Sequence, residues 1–298
     1  MMPIRVSPRH CLGSASEFIP WPLSGAFLIL TPYLCTNCGF WQRHFAVPPT
    51  CPVCTDFRHT PPDVGFRFLT PDTAAAETCT VWTSKDADIV TFSNDPQIGI
   101  GPNGYLLRHP DGNVFFDGTA YYSPDALALI DSLGGIKWLS ASHPHAYGAL
   151  WQLQERFAPA VAVQVEDLSW TNAFQTAWPF DECLGLAPDL TLLHTGGHFA
   201  GHSVLHWTGK KTLFAGDMLK FHGEDSVPIG ISTHKGFNRK IPMSHAEVRR
   251  YKDVIEPLDF DTVYTSFGAA PCTRAQVLAL FDRQLAGPPF FGPIPMED

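Results

Sequence analysis

The chain has 298 residues, of which 45% are apolar and 16% are charged, and its net charge is -9 with neutral histidines. This composition supports a packed core and gives the protein no general electrostatic reason to bind nucleic acid or an anionic membrane. Because no apolar run approaches about 18 uninterrupted residues, we expect no membrane-spanning helix. The length suits one large α/β domain and a small module.

The first 30 residues show little periodicity, and residues 1–30 are predicted to form an irregular arm. Arg5, Arg9 and His10 lie in this arm, and residues 1–16 contain no acidic side chain, so a targeting role stays open. A secretory signal would need a longer apolar run than residues 26–30 and a clear small-residue cleavage site.

Residues 31–60 contain two C-x-x-C pairs, formed by Cys35 with Cys38 and by Cys51 with Cys54. Two such pairs place four thiolates around one ion, which is the closed shell of structural zinc. The pairs resemble those of rubredoxins and zinc ribbons. The short intervening segment favours a zinc ribbon, with iron as the alternative metal. Because these pairs favour metal over disulfides, we expect a reducing, cytoplasmic compartment.

Residues 61–87 contain Pro-Pro-Asp and a Thr/Ala-rich run, and we predict that they form a linker. From residue 88 the pattern is one of alternating strands and helices. Residues 105–116 read as a hairpin, in which Asp111-Gly112 supplies the positive φ of the turn. Ser123 is the predicted N-cap of a helix whose first residue is proline.

Further elements follow at short intervals, and together they predict an α/β domain over residues 88–298. Ser244 and Glu247 form a capping box at the start of one helix. The remaining elements are strands at 136–139, 161–165, 190–193, 203–207, 212–215 and 262–264, and helices at 147–157, 244–256 and 273–285.

Three histidines and one aspartate have the spacing of a metal site. His143 and His145 follow a predicted strand, and a turn there can direct two imidazoles at one ion. His198 and Asp217 lie farther along the chain, also close to the ends of predicted strands. Three imidazoles and a carboxylate suit zinc.

The order of these elements and motifs resembles the metallo-β-lactamase superfamily over about residues 88–270. The resemblance implies an αββα sandwich with metals at one edge of its two sheets. It implies that His143, His145 and His198 are ligands of the first metal, and that Asp217 is the bridging carboxylate. It also implies that Asp117 supports the metal-binding loop.

This chain departs from the superfamily's pattern at the second metal. Tyr147 and Gly148 stand where the motif has an aspartate and a histidine, and residues 265–268 replace a final histidine. We therefore predict a single metal in the sandwich. Tyr147 either packs as a core side chain or, beside the metal, stabilises an oxyanion or donates a proton. His202 is an alternative ligand or a neighbour of the ligands.

A basic segment follows the predicted bridging carboxylate. In the superfamily that the chain resembles, this segment lines the substrate cleft. The segment therefore either binds an anionic substrate or is a solvated loop. Its residues are Lys220, His222, His234, Lys235, Arg239 and Lys240.

These features predict a zinc-dependent hydrolase of a small-molecule ester, lactone or thioester, with Asp217 orienting the attacking water or taking its proton. The first alternative is a mononuclear iron oxidoreductase that resembles the persulfide dioxygenases of the same superfamily. The second is a non-catalytic zinc-binding interaction protein. We expect no nucleic-acid or membrane partner, and the substrate and oligomeric state do not follow from the sequence.

Overall fold

The computed structural model describes residues 29–57, 59, 61–223, 228–233, 243–289 and 292–296. Apart from residues 29 and 30, the predicted irregular arm lies outside the described residues. The helices are α1 (Pro52–Thr55), α2 (Pro71–Glu77), α3 (Pro124–Ser132), α4 (Leu150–Phe157), α5 (His245–Ile255) and α6 (Arg274–Leu285). The first strands are β1 (Thr31–Cys35), β2 (Trp41–His44), β3 (Phe68–Leu69), β4 (Cys79–Asp86), β5 (Ile89–Asp95), β6 (Gly104–Leu107), β7 (Val114–Phe116), β8 (Trp138–Ser140), β9 (Ala160–Gln164) and β10 (Trp178–Phe180). They are followed by β11 (Cys183–Ala187), β12 (Leu190–His194), β13 (Ser203–Trp207), β14 (Thr212–Gly216), β15 (Leu219–His222), β16 (Gly230–Thr233), β17 (Thr262–Thr265), β18 (Gly268–Pro271) and β19 (Ile294–Pro295).

Two large sheets form the centre of the molecule. One has the strand order β10-β9-β8-β7-β6-β5-β4, and the other has the order β11-β12-β13-β14-β17-β18. Side chains from both sheets, including Tyr105, Phe116, Leu205 and Phe214, pack together between them. The alternate residues of the same strands face outward, as the period of two along a strand requires.

Helices cover the outer face of each sheet. Ile130 of α3 and Leu153 of α4 share a core cluster with Phe115 of the first sheet. Val248 of α5 and Leu280 of α6 lie in a separate core cluster that covers the second sheet. The layers are therefore helix, sheet, sheet, helix, and the predicted αββα sandwich is confirmed.

The predicted helix starts are confirmed at three positions. Ser123 accepts a hydrogen bond from the backbone of Ala126 at the start of α3. Ser244 caps α5 in a capping box with Glu247, and Thr273 caps α6. Among the described residues, no helix is long and apolar enough to cross a membrane.

The predicted linker at 61–87 is wrong in its secondary structure. It contains β3, the capped helix α2 and most of β4, which is the edge strand of the seven-stranded sheet. Along β4 the side chain of Thr80 is buried, whereas Val81 and Trp82 are exposed. An edge strand with so few buried side chains lacks the apolar alternation that identifies strands from sequence.

The four-cysteine module shares a core with the sandwich. β1, β2 and β3 form a small sheet, and the buried cysteines lie in the same cluster as Leu106 and Phe115. The indole of Trp41 donates a hydrogen bond to the carbonyl of Ala120 at 2.7 Å. The module is therefore packed against the sandwich.

Candidate metal centre

The first two predicted ligands follow a central parallel strand. β8 lies between β7 and β9, and the chain leaves it in an extended conformation at His143. Pro144–Ala146 then form one 3₁₀ turn, which contains His145. The two imidazole rings lie 5.3 Å apart between centroids. Parallel strands carry their functional groups at the carboxyl ends, and these two rings lie at that edge of the sheet.

The other two predicted ligands come from loops of the second sheet. His198 follows β12, and Asp217 directly follows β14. Gly197 has a φ of 83°, and a Cβ there would lie 2.4 Å from the hydroxyl oxygen of Tyr251. The same hydroxyl accepts a hydrogen bond from the backbone N–H of His198 at 3.1 Å. This close approach of loop and helix fixes the position of His198.

The donor atoms of the four side chains lie within 4.8 Å of one another, close enough to hold one ion. Ligands that lie about 2.0–2.1 Å from a tetrahedral zinc are themselves about 3.3 Å apart. Nε2 of His143 and Nε2 of His198 lie 3.3 Å and 3.5 Å from Oδ2 of Asp217. Nε2 of His198 lies 3.3 Å from Nδ1 of His145. The four buried side chains therefore form a group that could hold a metal ion.

A buried hydrogen-bonded chain fixes the orientation of His143. The hydroxyl of Ser142 donates to Oδ1 of Asp117 at 2.8 Å and lies 2.8 Å from Nδ1 of His143. With its proton directed at Asp117, this hydroxyl accepts from Nδ1–H, which leaves the Nε2 lone pair for a metal. Burial raises the pKa of Asp117 to about 7. The structure thus places Asp117 in the supporting position that the resemblance implied.

The four cysteines form a second group of suitable geometry. Ligands that lie about 2.3 Å from a tetrahedral zinc are about 3.8 Å apart. The Sγ atoms of Cys35 and Cys54 are 3.7 Å apart, and those of Cys38 and Cys51 are 3.6 Å apart. Burial raises the pKa of Cys38, so a bound cation is needed to stabilise four thiolates together.

The structure leaves no room for a side chain at Gly148, where the superfamily's motif has a histidine. Gly148 has a φ of 42°, and a Cβ there would lie 2.2 Å from the carbonyl oxygen of Thr119. The backbone N–H of Ala149 donates to that same oxygen at 2.8 Å, which holds the loop in place. Phe267, near the missing final histidine, is 46% exposed. A histidine at position 148 therefore has no room without a shift of the backbone.

We predict that the protein binds two metal ions per chain, one in each group, and that Gly148→His does not raise this number. Because of the clash with Thr119, the same substitution should destabilise the fold by about 2–4 kcal/mol. Elemental analysis and thermal unfolding test both parts. Gly185→His is the control, since a Cβ at Gly185 meets no atom within 4 Å. Two metals about 3.5–4 Å apart beside His143 would contradict the prediction.

Tyr147 is fully inside the protein and contacts groups other than the four donors. Its ring packs edge-on against Phe174 with 5.2 Å between centroids. Its hydroxyl lies 3.4 Å from the carbonyl oxygen of Asp167. Burial raises the pKa of this phenol well above its usual value, which opposes proton donation by ionisation. The geometry favours the packing interpretation over a role at an oxyanion.

We therefore expect Tyr147→Phe to change kcat by less than about threefold, far below the loss of about 10²-fold or more that follows removal of an oxyanion donor. Steady-state kinetics on a hydrolysed substrate provide the test. A loss of 10²-fold with unchanged metal content would restore the oxyanion role.

His202 lies beside the four donors but is not part of their group. Its ring is 5.3 Å from that of His143, and its Nδ1 lies 2.8 Å from the hydroxyl of Thr195. The group that could hold a metal contains His143, His145, His198 and Asp217. The structure therefore places His202 as a neighbour of the ligands.

A cavity of about 650 Å³ lies between the edges of the two sheets, and none of the four donors is among its lining residues. Asn103, Thr265 and Phe267 line it, together with Lys220 and other polar side chains. The backbone N–H of Ser266 donates a hydrogen bond to the carbonyl oxygen of Gly216, the residue before Asp217, at 3.3 Å. Lys220 and His222 of the predicted basic segment both line this cavity. His234, Lys235, Arg239 and Lys240 lie outside the described residues.

Sequence reasoning missed several residues that shape the site. Ser142 and Tyr251 fix two of the ligand loops through hydrogen bonds. Phe199 packs against the rings of His143, His145 and His198. The position of Ser142 directly before the histidine motif, and of Phe199 directly after His198, is the one available signal for two of them.

Comparisons with known proteins identify the family of the chain. Residues 99–267 match the family described as the metallo-beta-lactamase superfamily. The chain is 26% identical over 252 residues to the uncharacterized protein YmaE of Bacillus subtilis (strain 168), a match that covers 79% of this chain and 88% of YmaE. Among solved structures, VMB-1 at pH 5.5 is similar, with a TM-score of 0.51 and 13% identity over 70% of this chain and 95% of that one. The DIM-1 metallo-β-lactamase exposed to ceftazidime has a TM-score of 0.50 and 10% identity over 68% of this chain and 97% of that one.

The structural likenesses show the fold alone, but the family match spans more than half of the chain. The protein therefore belongs to the metallo-β-lactamase superfamily and carries a four-cysteine module beside that superfamily's metal-dependent hydrolase-type fold.

Proposed function

We propose that the protein is a hydrolase that works with one metal ion, held by His143, His145, His198 and Asp217. The observation that carries this proposal is that the four donor atoms lie within 4.8 Å of one another, with three of their separations at 3.3–3.5 Å. A metal held there would take water as a further ligand beside the four protein donors, would lower the pKa of that water to about 7 and would polarise a carbonyl oxygen. Zinc is our choice for both groups, because imidazole, carboxylate and thiolate are its usual ligands.

Four residues around the three histidines have an assigned role in this reaction. Oδ2 of Asp217 lies near Nε2 of His143 and Nε2 of His198. We propose that Oδ1 accepts a proton from the attacking water. Asp117 and Ser142 hold His143 in the tautomer that offers Nε2. Phe199 covers one side of the three imidazoles and so limits access of bulk water from that side.

The substrate we propose is a small polar ester, lactone or thioester. The cavity of about 650 Å³ is large enough for such a molecule and is lined in part by hydroxyl and amide side chains. It is linked to the metal group through Ser266, which lies between two lining residues and bonds to the carbonyl of Gly216 beside Asp217. Lys220 at its wall favours a substrate with a negatively charged group. No nucleic-acid or membrane partner forms part of this proposal, and we assign the protein to the cytoplasm because its metal-binding thiols need a reducing compartment.

One alternative keeps the same residues but changes the chemistry. A mononuclear site with two or three imidazoles and a carboxylate also suits iron, and the lack of room for a histidine side chain at Gly148 is consistent with one metal in this case too. Iron-loaded protein that consumes oxygen with thiol substrates, while zinc-loaded protein hydrolyses nothing, would replace the hydrolase with an oxidoreductase.

The direct test is a screen of esters, lactones and thioesters on zinc-loaded protein, with Asp217→Asn as the key variant. We expect this variant to keep part of its metal and to lose about 10²-fold or more in kcat, because an amide does not accept the proton of the water. Metal analysis of the same preparation separates loss of rate from loss of metal. A kcat close to that of the wild type would remove Asp217 from the mechanism.

A further inference from the structure

The four-cysteine module places a histidine against the metal group. The ring of His59 packs edge-on against the ring of His145, with 5.3 Å between centroids and an interplanar angle of 76°. His145 is one of the four donors, and its Nδ1 is the atom nearest to His198. His59 is only partly buried. It therefore lies beside the metal group and is partly accessible to solvent.

The metal-binding residues of the module control where His59 lies. Cys51 directly precedes α1, and Cys54 lies within that helix. The backbone N–H of Asp56 closes the helix on Pro52, and that of His59 donates to the carbonyl of Asp56 at 3.0 Å. His59 is the fifth residue after Cys54, so a metal that fixes Cys51 and Cys54 also restricts the range of His59.

The module is also anchored to the sandwich close to the metal group. Trp41 bonds to the carbonyl of Ala120 and packs against Trp151 of α4 at 5.2 Å. Nε of Arg43 donates to the carbonyl of Ala173 at 2.9 Å, and its guanidinium lies 5.4 Å from the ring of Trp151. α4 follows the turn that carries His145. The module and the ligand loop are therefore held by the same part of the fold.

We propose that the four-cysteine module borders the metal group and that His59 binds the substrate beside His145. The imidazole offers both a donor and an acceptor, and so can bond to the carbonyl or the leaving-group atom of an acyl compound. This role deepens the proposed hydrolase function and rests on it. It gives the cysteine cluster a part in substrate binding in addition to its structural one.

The test uses acetohydroxamate, a small acyl ligand that chelates metals, on the full-length protein with cobalt in the histidine group. The change of the visible spectrum gives the Kd, and elemental analysis gives the metal content. We expect His59→Ala to keep both metals and to weaken binding about tenfold, the loss that follows removal of one hydrogen bond in a desolvated site. His59→Asn should recover most of the affinity. His44→Ala is the matched control, since His44 lies in the same module, is exposed and bonds to Gln42.

The outcomes separate a binding role from a packing role. Recovery by His59→Phe, which keeps an aromatic ring on His145 but no hydrogen bond, would overturn the proposal. Unchanged affinity in His59→Ala, or loss of the histidine-group metal in that variant, would also overturn it. Cys54→Ser should weaken acetohydroxamate to the same extent as His59→Ala, and an unchanged Kd in folded Cys54→Ser protein would refute the dependence on the cluster.

The same variants distinguish this inference from the proposed reaction. If His59 determines acetohydroxamate binding but no ester, lactone or thioester is hydrolysed, the hydrolase proposal is wrong and the binding role of His59 is supported. If a substrate is hydrolysed but neither its KM nor the Kd of acetohydroxamate depends on His59, the hydrolase stands and this inference fails.

Discussion

Replacing His198 with alanine is expected to remove the metal of the histidine group and to abolish hydrolysis. The variant keeps only three of the four protein donors, and the chemistry that depends on the metal amounts to several kcal/mol of transition-state stabilisation. We therefore expect a loss of about 10³-fold or more in kcat/KM. The number of metal ions per chain should fall from two to one, which elemental analysis measures.

The control for this experiment is a histidine outside both groups. His245 lies at the start of α5, where its Nε2 bonds to the carbonyl of Gly287 at 2.9 Å. His245→Ala should retain both metals and nearly all activity. Full activity in His198→Ala protein that lacks this metal would show that the reaction occurs elsewhere.

Cys51→Ser is expected to release one metal ion and to loosen the module, with a fall in Tm of about 10 °C or more. Binding of a structural metal is coupled to the folding of the segment that holds it, and 1 kcal/mol shifts Tm by about 2–4 °C in chains of about 150–250 residues. Because Trp41 of the module packs in the shared core, its fluorescence should report the loosening.

Cys79→Ser provides the matched comparison. Cys79 is exposed, and its thiol donates a hydrogen bond to the backbone carbonyl of Asp95 at 3.1 Å. This variant should keep two metals and an unchanged Tm. Retention of both metals by Cys51→Ser would mean that the four thiols are not a metal site.

The candidate ligands could be predicted from the sequence because metal sites demand particular side chains at short spacings. His143 and His145 are two residues apart after a strand, and each C-x-x-C pair forms one knuckle. The layers could be predicted for a similar reason, since Ser123 and Ser244 mark helix starts through local chemistry.

What could not be predicted depends on contacts between distant parts of the chain. Ser142 and Asp117 are 25 residues apart, and no local pattern indicates that their side chains meet. No local pattern predicts that Tyr147 packs against Phe174 either, so the sequence alone is consistent with both a packing role and a role at the metal for Tyr147. Strand β4 was missed because its side chains are mostly exposed and carry no apolar alternation.

The anchoring of the module across the chain also has a consequence for synthesis on the ribosome. All four thiols are available once residue 54 has emerged, whereas the carbonyls that receive Trp41 and Arg43 lie 79 and 130 residues later than their donors. At about 5–20 residues per second, the ribosome adds Ala120 and Ala173 roughly 4–26 s after Trp41 and Arg43. The four cysteines can therefore bind metal before the module packs against the sandwich. During this interval the apolar side chains around Trp41 are exposed to solvent. We expect that cell-free synthesis with a zinc chelator present yields more aggregated protein than synthesis with zinc present from the start.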